Sequence, residues 1–218
     1  MQQIRIVCFS GIDGSGKTAH ARRILFDIQK SGRKCKYVWS GSPYFFSYLF
    51  MALCRFLGLT KVHCLPETTN CSEHEYYKNK PIALVWPWIR FLDLIPFFVL
   101  RIYIPLLRGF IIVCDRFVED ALVDIMTDVN DDRTHRKLVG RLTLRLAPKS
   151  TLVILLDVEE ATAFKRKNDI PSLRFLARRR SNYLILSRDL SIPVIEAERP
   201  FALVQERLLE EINKLLLD

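Results

Sequence analysis

The octet GIDGSGKT, from Gly11 to Thr18, constrains this chain more than any other feature. It fits G-x-x-x-x-G-K-[ST], the pattern of a loop that binds phosphate. An apolar run, Ile4–Phe9, precedes it, and a helix-like stretch, Ala19–Gln29, follows. Strand, glycine-rich loop and helix in that order are the context such a loop needs. Gly11, Gly14 and Gly16 let the backbone curl so that successive N–H groups point inward at an anion. The whole stretch Gly11, Ile12, Asp13, Gly14, Ser15, Gly16, Lys17 and Thr18 is therefore expected to hold a nucleotide. The helix starting near Lys17 adds its positive end. Lys17 is suited to the β- and γ-phosphates, and the Thr18 hydroxyl to Mg²⁺.

Five short runs rich in Val and Ile read as buried parallel strands: Ile4–Phe9, Lys34–Trp39, Phe110–Cys114, Thr151–Leu156 and Pro193–Ile195. Helical stretches lie between them. That alternation predicts an α/β fold, with a parallel sheet and helices on both faces. In such a sheet the strand C-termini share one edge, where ligands bind. The octet, Asp115-Arg116 and Asp157 all follow strands at that edge. The closing segment Phe201–Leu217 is apolar at 201, 204, 208, 212 and 215, the spacing of an amphipathic helix packed on the sheet.

Two further stretches carry chemistry. In CDRF, Cys114–Phe117, Asp115 at a strand tip is suited to Mg²⁺, and Arg116 to a transferred or acceptor phosphate. After the fourth strand comes a basic stretch with Lys165, Arg166 and Lys167, then Arg174, Arg178, Arg179 and Arg180. Arg174 and Arg178 are four apart and share a helix face. A mobile arginine-bearing lid around 165–180 would exclude water and neutralise phosphate charge. Arg166, Arg174 and Arg178 are its candidate phosphate ligands. Glu119, Asp120 and Asp124 follow DRF on an expected helix, either as ligands for an ion or an acceptor hydroxyl or as a solvated face.

No Pro/Gly/Ser-rich linker and no internal repeat divides the 218 residues, so a single domain over 1–218 is expected. MQQIRIVCFSG leads straight into a strand, which argues against a signal peptide. The six cysteines form no C-x-x-C pair, which fits a reduced, cytoplasmic protein. His63-Cys64 and Cys71-x-x-His74 depart from ordinary zinc-ligand spacing and read as an incidental loop. The net charge of +9 reads as a solvated basic surface plus arginines that handle phosphate, nucleotide polyphosphates would justify much of it, and no nucleic-acid-binding signature is present. Tyr44–Leu59 and Ile82–Leu107 are strongly apolar. The second carries Arg90, Asp93 and Arg101 and is cut by Pro87, Pro96 and Pro105, so it reads poorly as a membrane span. Buried helices or a homodimer interface are the first reading, and attachment to a membrane surface the second.

Taken together, FSGIDGSGKT, the stretch from Gly109 to CDRF, LLDVEEATAFKR (Leu155 to Arg166) and ARRRSNYLILS before the last strand resemble thymidylate kinases. The pieces occur in that family's order and span nearly the whole chain. The resemblance implies a three-layer P-loop NTPase fold and transfer of phosphate from ATP to dTMP, a step of nucleotide biosynthesis that uses magnesium. It also implies ATP at 11–18, a lid at 165–180, Asp13 near the acceptor sugar and Arg116 at the phosphates. The acceptor side departs from the family. Ser10 stands where an acidic residue is usual. WSGSPYFF replaces an arginine-proline-glycine motif. VEDALVD, with Asp124, lacks a tyrosine that crowds the sugar 2′ position, and LVWPWIRFLDLI aligns Arg90 only loosely. The alternatives are a kinase acting on a nucleoside, sugar or lipid-linked hydroxyl, and a non-enzymatic nucleotide-binding module.

Overall fold

The computed structural model describes residues 4–41, 45–58, 60–63, 71–74, 76–167, 170 and 172–216. Its centre is a parallel sheet of β1 (Ile6–Ser10), β2 (Cys35–Trp39), β5 (Ile111–Asp115), β6 (Thr151–Asp157) and β7 (Val194–Glu196), in the order β2-β5-β1-β6-β7. All five expected strands form, each ending within a residue of its expected C-terminus. Two short strands, β3 (Thr60–His63) and β4 (Cys71–His74), pair antiparallel apart from this sheet. Cys64 lies outside the described residues. Among the described residues no group of three metal-ligating side chains occurs.

Alternate residues of β1 feed opposite cores, as a strand buried on both faces requires. Val7 and Phe9 pack with Ala21 and Ile24 of α1 (Lys17–Lys30) and with Val204, Leu208 and Ile212 of α9 (Phe201–Leu216). Ile6 and Cys8 pack on the other face with Leu94 and Phe98 of α3 (Lys80–Phe98) and Val118 and Ala121 of α5 (Val118–Val129). Of the spacing expected of the last helix, positions 204, 208 and 212 are buried against the sheet. Further along that second face, α7 (Glu160–Arg166) and α8 (Leu173–Leu190) cover Leu155 and Val158 with Ala163, Leu176 and Tyr183.

The prolines do not cut the middle segment. The helix runs unbroken from Lys80 to Leu107, through a π turn at Val99–Tyr103 into α4 (Ile104–Leu107). In the π turn the Ile104 N–H bonds the Val99 carbonyl, so the wider turn comes just before Pro105, which has no N–H to donate. By length and composition this helix could cross a membrane. However, its Arg90 and Asp93 are buried against the protein. Asp93 accepts from the backbone N–H groups of Phe46 and Ser47 at 2.8 and 2.6 Å, so it caps α2 (Phe45–Phe56).

Candidate functional site

β1 and β5 are neighbours in perfect parallel register, Phe9 beside Asp115. The chain leaves β1 toward α1 on one face and leaves β5 toward α5 on the other. A crevice at the strand C-termini follows from that divergence. Loop 11–18 and Asp115-Arg116 line it.

The loop's shape depends on its glycines. Gly11 and Gly14 have φ of +142° and +89°. A Cβ on Gly11 would stand 2.4 Å from the Leu156 carbonyl oxygen, and one on Gly14 2.6 Å from that of Ala163. No other residue fits either position. Lys17 lies inside this curl and donates to the carbonyls of Gly11 and Ile12, both at 2.7 Å. Burial and the nearby Arg116 lower its pKa to about 8, against the pull of Asp13, Asp120 and Asp115. The loop is thus built around one desolvated cation.

Thr18 donates to Asp115 Oδ2 at 2.5 Å, and the Tyr37 hydroxyl reaches the same oxygen at 2.8 Å from β2. Burial and this bond hold the Tyr37 hydroxyl well above the usual phenol value. Arg116 has a left-handed backbone, φ +71°, while its N–H still bonds the Phe9 carbonyl at 3.0 Å. Such a conformation is costly for a side chain of this size and marks a site where geometry is imposed. It turns the guanidinium across the crevice to the Asp13 carboxylate. Burial would raise the Asp13 carboxyl, but Arg116 and Lys17 hold it well below the usual range.

The acidic residues after DRF are not a solvated face. Glu119 and Asp120 are buried in the first turn of α5. Asp120 collects three donors: the Ser10 hydroxyl at 2.6 Å, the Phe117 N–H at 2.9 Å and the Tyr183 hydroxyl at 2.7 Å. Burial raises its pKa, and Arg116 and Lys17 oppose that rise. Among the described residues Glu119 Oε2 has no hydrogen-bond partner, and burial lifts its carboxyl to about 8. Asp124 lies 2.6 Å from the buried Arg179. Beyond it, Asp128 accepts from Trp86 Nε1 at 2.9 Å and is raised by burial and by Asp124 to about 8, while Arg90 opposes the rise.

The basic stretch divides by environment. Arg166 reaches the carbonyls of Gly14 and Ala197 at 3.3 and 3.4 Å, so it sits beside the loop. Arg174 is exposed at the start of α8. Arg178 donates to Asn130 Oδ1 and lies over the Tyr77 ring, on the α5 side. Arg179 points inward, toward Asp124. Arg180 is held by both oxygens of Asp157 at 2.8 and 2.9 Å and by Glu160 at 2.9 Å. Arg180 thus ties α8 to β6 and α7. Leu176 is fully buried, which anchors residues 173–180 as the first turns of α8.

Tyr37 lies in no motif, and Tyr183 lies in ARRRSNYLILS without a role assigned to it there. On the outer side of the loop, His20 bonds Gln205 at 2.9 Å and stacks on Phe201 at 4.3 Å, fixing α9 against α1.

No family model and no curated protein matches this chain. The motifs and the crevice they line therefore carry the functional reading.

Proposed function

We propose that the chain is a P-loop phosphotransferase that moves a phosphoryl group from ATP to a nucleoside monophosphate, with dTMP the first acceptor to test. The observation that carries this reading is the convergence of Lys17, Thr18, Asp115 and Arg116 on one crevice from two strands about a hundred residues apart. The order of the five sheet strands, second-third-first-fourth-fifth along the chain, agrees with a three-layer P-loop NTPase fold.

The residues present fit both groups the reaction needs. Loop 11–18 curls around Lys17, and Gly11 and Gly14 let it lie against the backbone of Leu156 and Ala163. Thr18 and Asp115 would hold Mg²⁺ with one hydroxyl and one carboxylate. When bound, ATP supplies the phosphoryl group and Mg²⁺ neutralises phosphate charge.

The chain's own groups do the rest. Lys17 can exchange two carbonyls for phosphate oxygens, and contact with an anion favours its charged form. Arg116 places a bidentate donor at the centre of the crevice, and Asp13 keeps that guanidinium aimed. An acceptor phosphate already ionised at pH 7 needs no strong base, so positioning and neutralisation carry the rate. Asp13 and Asp115 then act by orientation. Arg166 sits beside the loop and is the first candidate for a cation that closes over the phosphates. Arg174 and Arg178 are further candidates.

Incubating the purified chain with ATP, Mg²⁺ and a panel of dTMP, dUMP, UMP, CMP, nucleosides and sugars tests the reading. Formation of a nucleoside diphosphate supports it. Transfer only to hydroxyls moves the function to another kinase class, and nucleotide binding without transfer leaves a binding module.

A further inference from the structure

Arg179 stands apart from the other arginines after the fourth strand. It lies on α8 one turn before Tyr183 and on the same face, which is turned to α5. Only 7% of the residue is exposed. Its Nε and Nη2 have no hydrogen-bond partner among the described residues. Asp124 Oδ1 is 2.6 Å from Nη2 but is itself unbonded, so the carboxylate lies beside the guanidinium and not in line with its N–H groups. A buried guanidinium with unspent donors is costly, and an acceptor that meets them removes that cost.

The neighbours of Arg179 say what kind of acceptor it faces. Burial raises the Asp13 carboxyl, and Arg179 joins Arg116 and Lys17 in holding it low. Arg116 is disfavoured as a cation by burial and by Arg179, and is sustained by Asp13. Two guanidiniums thus approach one space from different elements, Arg116 from the end of β5 and Arg179 from α8. Asp13 and Asp124 each meet one of them. A guanidinium has five N–H groups, so neither carboxylate exhausts its partner. Neighbouring buried cations with donors to spare fit an anion with close to two charges spread over three oxygens. A phosphate monoester is such an anion at pH 7. A neutral hydroxyl would answer neither charge.

We propose that Arg179 binds the phosphate of the acceptor together with Arg116, and so selects a phosphate monoester over the free nucleoside. The proposal rests on the phosphotransferase reading above. Asp124 holds Arg179 until the anion competes for it.

Binding without turnover tests it. Calorimetry follows dTMP, UMP and CMP, each beside its own nucleoside, and an ATP analogue that cannot be hydrolysed, all titrated into the full chain. The wild type should bind at least one monophosphate about tenfold or more tighter than its nucleoside. Arg179→Gln should remove most of that preference and leave the affinity for the nucleoside and for the analogue unchanged. Asp124→Asn releases Arg179 and should keep or tighten monophosphate binding. If the pair were only structural, both variants would lose monophosphate affinity and melting temperature together, which would overturn the proposal. Equal or absent binding of monophosphate and nucleoside by the wild type, or an unchanged preference in Arg179→Gln, would overturn it too. A preference that depends on Arg179 in a chain that transfers no phosphoryl group would uphold the phosphate site and sink the phosphotransferase reading.

Discussion

The hydroxyl of Ser10, at the end of β1, donates to the carboxylate of Asp120 at 2.6 Å across a separation of 110 residues. The carboxylate comes from the first turn of α5. It also accepts from Phe117 and Tyr183, so it fastens α5 and α8 to the strand that feeds the loop. Asp120→Ala would leave three buried donors without an acceptor. We expect a loss of about 2–5 kcal/mol in stability, read by denaturant unfolding. A loss below about 1 kcal/mol would mean that water or a neighbour replaces the carboxylate.

Glu119 predicts a pH dependence. Its folded-state pKa is about 8, raised mainly by burial, against an ordinary carboxyl value of 4.5. The native chain therefore binds an extra proton between these values. The associated stability is complete below about pH 4.5 and is lost as pH rises through 8. Glu119→Gln keeps the shape and removes the titration. It should raise Tm by about 2 °C or more at pH 9 and change it little at pH 5. An equal effect at both pH values would contradict a buried, protonated Glu119.

Asp115 should set the Mg²⁺ requirement. In Asp115→Asn the amide still meets Thr18 and Tyr37, but the negative charge is gone. The Mg²⁺ concentration for half-maximal ATP turnover should rise about tenfold or more, with the fold kept. Superimposable Mg²⁺ titrations would leave Asp115 only its hydrogen bonds to Thr18 and Tyr37.

Much of this architecture is legible in the chain itself. The strands announce themselves because runs such as IIVC and TLVILL are buried on both faces and need no alternation. The loop is legible because the octet pattern fixes both its backbone and its cation. The supports of the site are not. Ser10, Asp120 and Tyr183 carry no joint pattern, since their contact exists only once β1, α5 and α8 are assembled. Charged residues after DRF read either as ligands or as a solvated face, and the donors of Ser10, Phe117 and Tyr183 are what let Asp120 be buried. Prolines read as breaks in the middle segment, yet the helix runs through all three of them. The arginines of 174–180 read as part of a lid, with Arg174 and Arg178 as its phosphate ligands. Their partners separate them, with Arg180 held by Asp157 and Glu160 and Arg179 turned to Asp124.

Lys17 is the residue on which the account turns, because it is the buried cation inside the loop. The decisive measurement is ATP-dependent phosphoryl transfer to dTMP by the wild-type chain and by Lys17→Ala, with both melting curves recorded. The account predicts turnover by the wild type and a loss of about 3–4 kcal/mol of transition-state stabilisation in the variant, a hundredfold or more in rate, at unchanged fold. Near-normal turnover by a folded Lys17→Ala protein would contradict it.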